Sequence, residues 1–181
     1  MTRKVILATV SALALGMVAV GFAVAAAPGP DYLDVTAWKA LAKNKSTAQL
    51  SVTTKAAIPK QPDTFIRSNP VVGLGWLDVQ TSNVFVVTIH PAIGRDSRQN
   101  PRAWHAHTAA LTGGATAPND FCLAAITSTP TAGISIQGAT MKVNVRRSAL
   151  PVPPAAIDAA TGFTLQADGA CASGLGVRAS T

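Results

Sequence analysis

All three histidines of the chain lie between positions 90 and 107: His90, His105 and His107. A neutral imidazole carries a lone pair at physiological pH, which makes histidine the commonest metal ligand. In Trp104-His105-Ala106-His107, an extended backbone would put successive side chains on opposite faces. His105 and His107 then share one face, roughly 6–7 Å apart along the strand. That spacing lets two imidazoles reach one ion. His90 closes a β-branched run and joins the pair if the two strands lie side by side. Three histidines with a fourth position open make the arrangement in which zinc lowers the pKa of a bound water. Imidazole also suits copper, so one zinc or copper ion is the cofactor expected if the site forms. Asp96 or Asp120 could add a carboxylate ligand or orient a ring from behind. The competing expectation is that H-x-H arises by chance and the histidines are ordinary residues of an exposed strand face. A copper site of the His-Cys kind is disfavoured by residue order, since no histidine follows Cys122.

Between His90 and Trp104 runs a polar connection, Pro91 to Arg102. Arg95, Arg98 and Arg102 could offer guanidinium groups to a carboxylate, sulfate or phosphate. A long polar loop on a rigid sheet is a usual place for binding. The alternative is a solvated loop in which Asp96 pairs with a neighbouring arginine.

Cys122 and Cys171 are the only cysteines. An even count in an exported chain reads as one disulfide. Closing a loop of about 50 residues is worth roughly 4 kcal/mol in the chain-entropy model. Two separate buried thiols are the other reading. Two distant sulfurs do not make the usual four-ligand metal set.

No complete catalytic set is present. There is no G-x-S-x-G elbow to supply a nucleophile. All eight acidic residues are Asp, and no evident pair of carboxylates supports glycoside hydrolysis. Gly174-Leu175-Gly176 has no helix after it and is not a dinucleotide fingerprint. Basic residues are not interleaved with stacking aromatics, which argues against nucleic acid. The formal charge is +7. Without Arg3 and Lys4 it falls to 13 basic against 8 acidic residues, or +5. That balance suits an anionic cell-surface component without naming one.

The elements that would position these groups begin after an apolar N-terminal run. Arg3 and Lys4 precede apolar residues from Val5 to about Ala27, and Ala23-Val24-Ala25 offers a small-residue cleavage site, so residues 1–25 read as a signal peptide. The run is long enough to be a retained membrane anchor instead, in which case membrane contact follows. A plain buried helix is a third reading. Signal and anchor both place the rest outside the cytoplasm, secreted or periplasmic. Residues 26–47 read as a linker and one short helix. Val35, Trp38, Leu41 and Ala42 fall at helical spacing across Asp31 to Lys45, with Asp34 or Thr36 as cap and Lys39, Lys43 and Lys45 at the C-terminal end.

Residues 48–181 read as strands. The segments are Gln49–Lys55, Val71–Val79, Asn83–His90, Trp104–Leu111, Phe121–Thr127, Ile134–Gln137, Met141–Arg146 and Phe163–Ala167. Turn residues separate several of them, which describes a mainly β, antiparallel β-sandwich, Ig-like or jelly-roll-like. Ile134–Gln137 and Met141–Arg146 form a hairpin with Ile134, Ile136, Met141, Val143 and Val145 toward the core. Trp38, Trp76 and Trp104 read as core residues. The leading functional expectation is an exported, non-catalytic β-sandwich with a binding or structural role at the cell surface. The alternative is an extracytoplasmic metal-binding protein or metalloenzyme using His90, His105 and His107.

Overall fold

The computed structural model describes residues 30–60, 71–90, 103–113 and 120–180. The expected signal segment, and the loop with Arg95, Asp96, Arg98 and Arg102, lie outside the described residues. Ten strands account for most of the described chain: β1 Val35–Ala42, β2 Thr47–Thr54, β3 Val71–Asp78, β4 Asn83–Ile89, β5 His105–Thr112, β6 Phe121–Ser128, β7 Ala132–Gln137, β8 Thr140–Arg146, β9 Ala159–Ala167 and β10 Leu175–Ala179. All pairings are antiparallel.

Four strands form an open sheet in the order β1-β2-β8-β7, and the other six close into a barrel in the order β10-β6-β5-β4-β3-β9. The mainly β, antiparallel expectation holds. The second layer is a closed barrel rather than the open second sheet of a sandwich. Closure follows from β10, which pairs with β9 on one side and β6 on the other, so the six strands present no free edge.

The helix expected over 31–45 is corrected to a strand: β1 forms a hairpin with β2, and the described residues hold only two short 3-10 turns, Arg147–Ala149 and Pro154–Ala156. Asn44 builds the hairpin turn, its Oδ1 accepting from the backbone N–H of Ser46 and Thr47. β1 is an edge strand exposed along most of its length. Lys39 on that edge discourages strand addition from another molecule. Trp38 is therefore part-exposed at 37%, while Trp76 and Trp104 are buried with their indole N–H groups donating to Ser51 O and Pro59 O.

The β7–β8 hairpin forms in the expected register, Ile134 opposite Val143 and Ile136 opposite Met141. Gly138, at φ +56°, opens its two-residue turn, a conformation that favours glycine. Met141, Val143 and Val145 are buried, while Lys142, Asn144 and Arg146 are exposed.

The main core lies between the open sheet and one wall of the barrel. Leu50 and Val52 of β2 and Met141 and Val143 of β8 pack with Leu74 and Trp76 of β3 and with Phe85 and Val87 of β4. The alternate residues of β3 and β4 face the barrel interior, where Leu77, Val84 and Val86 meet Ala109, Phe163 and Val177. Both strands are thus buried on both faces, which is why their sequences run apolar with little alternation.

Candidate metal centre at the mouth of the barrel

Strand pairing brings the three histidines together. β4 and β5 are neighbours, with Thr88 opposite His105 and Val86 opposite His107. His105 and His107 are separated by Ala106, which is buried in the core between the layers. Alternation then turns both imidazoles the other way, toward the interior. His90 follows Ile89, another core residue, and so faces the same side. One candidate ligand nitrogen from each ring lies within 4.8 Å of the other two. His90 and His107 are 5% and 4% exposed and His105 is intermediate.

The rings are held by groups outside the cluster. His105 Nδ1 lies 2.9 Å from Ala103 O. A carbonyl oxygen only accepts, so Nδ1 carries the proton and, in the neutral ring, Nε2 presents its lone pair. That nitrogen faces His90 Nε2 at 2.9 Å. His107 Nδ1 lies 3.1 Å from the Thr129 hydroxyl at the end of β6. A backbone carbonyl behind one imidazole and a hydroxyl behind another are the outer contacts that orient metal-binding histidines. Three nitrogens on a tetrahedral zinc at about 2.0–2.1 Å stand ~3.3 Å apart. The His90–His105 separation is slightly below that figure and the widest separation above it.

Asp120 does not approach the histidines. It precedes β6 at the end opposite Thr129, where its carboxylate accepts from Arg178 at 2.6 Å and from Ala179 N–H at 3.2 Å. Arg178 also reaches Asp168 at 2.8 Å. Hydrogen bonding to Asp120, helped by the charges of both carboxylates, raises the guanidinium pKa and keeps Arg178 charged. The Cys122–Cys171 disulfide is formed, as expected. It sits beside the β6–β10 seam, whose register comprises only two pairs, Gly176–Cys122 and Val177–Phe121.

Behind the histidines the barrel holds a cavity of about 570 Å³ that is partly open to the outside along β6 and whose lining includes His90 and His107. Barrels with few strands are normally filled by their own side chains. Here the inner face carries Gly75, Ala109 and Ala179 where larger residues would close the space. The ring of Phe163 rests on Gly73, where an added Cβ would lie 2.5 Å from the ring. Thr88 also lines the cavity, two residues before His90. It is 3% exposed, and its hydroxyl has no hydrogen-bond partner among the described residues. The sequence reading missed Thr88, Thr129 and the cavity. Period-two alternation back from His90 was the available signal for Thr88, whereas Thr129 depends on the pairing of β5 with β6 and the cavity on barrel closure.

Comparison with protein-family models, with curated proteins and with solved structures finds no match to this chain.

Proposed function

We propose that the protein is an extracytoplasmic metal-binding β-barrel that holds one zinc or copper ion with His90, His105 and His107. The observation that carries this reading is the convergence of three imidazoles from adjacent strands, with His105 locked by Ala103 O so that Nε2 points at its neighbours. A chance H-x-H on an exposed face would leave its rings in solvent, but two of these three are buried. The disulfide supports an oxidising compartment. Among the described residues, no helix is long and apolar enough to cross a membrane. Residues 1–25 serve in this reading as the export signal. Three protein ligands leave one coordination position for water or a ligand.

Elemental analysis of protein purified without a histidine tag or chelators tests the reading. The expected result is about one zinc or copper per chain, lost in His105→Ala/His107→Ala while the far-UV circular dichroism is unchanged. No bound metal, together with no uptake on titration with zinc or copper, overturns it.

A further inference from the structure

The cavity and the metal centre are one continuous space, and together they define a ligand. We infer that the barrel binds an apolar monocarboxylate, its hydrocarbon body inside the barrel and its carboxylate at the histidine end, on the open position of the metal. This inference rests on the metal reading above.

The shape and chemistry of the interior select the hydrocarbon body. A volume of about 570 Å³ falls within the ~300–1,000 Å³ range of small-molecule sites. Liquid water takes ~30 Å³ per molecule and a methylene group a similar space, so a chain of about 8–12 carbons fits with room to spare. Leu77, Val84, Val86, Leu123, Phe163 and Val177 line the space and offer no polar contact. Most polar lining groups, Thr88, His90, His107, Thr127, Ser128 and Thr129, lie toward the histidine end, while Thr161 lines the wall on β9.

Charge and an unmet hydrogen bond select the carboxylate head. Three neutral imidazoles leave a divalent ion its full positive charge, which attracts a carboxylate and repels an ammonium group. Thr88 faces the interior, opposite His105 in the β4–β5 register. Its buried hydroxyl has no partner among the described residues. A buried hydroxyl without a partner is costly and usually marks a site that something else completes. A carboxylate has two oxygens, one for the metal and one to accept from this hydroxyl.

The test is calorimetric titration of the zinc-loaded protein with decanoate, with decanol and decylamine as comparators. Decanoate is expected to bind once per chain, at least about tenfold tighter than decanol and tighter still than decylamine. Thr88→Val keeps the shape and removes the hydroxyl. It should weaken decanoate about tenfold, the usual scale for one hydrogen bond to a charged group, and leave zinc stoichiometry at one. Ala109→Leu and, separately, Leu123→Phe narrow the barrel and should abolish decanoate binding while zinc is retained. Zinc binding without decanoate binding overturns this inference and leaves the metal reading intact. Failure to bind zinc or copper overturns both. Unchanged decanoate affinity in both narrowed variants, each folded by circular dichroism, also overturns it, as does decylamine binding as tightly as decanoate.

Discussion

At His105 the two ring nitrogens have different fates, and a backbone carbonyl decides which is which. Ala103 O takes the Nδ1 proton, so Nε2 is offered to the cluster without any charged residue being needed. Directly opposite His105 on the neighbouring strand, Thr88 supplies a hydroxyl with nothing to bind among the described residues. These facts make opposite predictions for stability and for binding. A structural threonine loses stability when its hydroxyl is removed. Thr88→Val instead removes an unsatisfied buried group and keeps the volume, so stability should be unchanged or raised by about 1 kcal/mol. Chemical denaturation of the ligand-free protein measures this. A loss beyond about 1 kcal/mol would show that the hydroxyl has a structural partner.

At the scale of elements, the barrel depends most on its shortest seam. β10 and β6 share two register pairs, against five between β10 and β9. Two side-chain links reinforce that seam, the Cys122–Cys171 disulfide and the Arg178–Asp120 ion pair, and the same guanidinium also holds Asp168 just after β9. Asp168 is buried and forms an ion pair with Arg178. Arg178→Ala removes the cation between two carboxylates and should cost about 3 kcal/mol, the lower end for breaking a buried ion pair, because Arg178 is partly exposed. Cys122→Ser/Cys171→Ser should cost about 4 kcal/mol from loop entropy. Both variants act on one seam, so their effects should fail to add. A double-mutant cycle by denaturant unfolding measures that coupling. Strict additivity would mean that the two links hold separate parts of the fold.

For the whole molecule, metal binding is a stability statement. An ion that binds the folded chain and not the unfolded one stabilises it by about 2.7 kcal/mol at a free concentration 100 times Kd. For a domain of this size each kcal/mol raises Tm by roughly 2–4 °C. Zinc titration should therefore raise Tm by about 5–10 °C, and His105→Ala/His107→Ala should be insensitive to zinc. Differential scanning calorimetry in zinc and in chelator checks both, and a Tm that zinc leaves unmoved counts against a site belonging to the folded state.

Much of this molecule is decided by local rules. Period-two alternation places Met141, Val143 and Val145 on the buried face of β8 and Lys142 and Asn144 on the other, because side-chain direction along a strand needs no partner to define it. The same rule puts His105 and His107 on one face. The pairing of Cys122 with Cys171 follows from their being the only two cysteines. The rest depends on contacts distant in sequence. Asp31 to Lys45 carries helical spacing, yet β1 is a strand because β2 offers it a ladder of hydrogen bonds and Asn44 turns the chain. β10 is only five residues long and follows the Gly174 turn, so it does not declare itself, and its two neighbours make it a strand. Its double pairing closes the barrel, walls the cavity on one side and rules out an open second sheet. The convergence of His90 on His105 and His107 belongs to the same class. It requires β4 and β5 to pair in one register, and register is set by side chains packing across strands rather than by the residues of either strand alone.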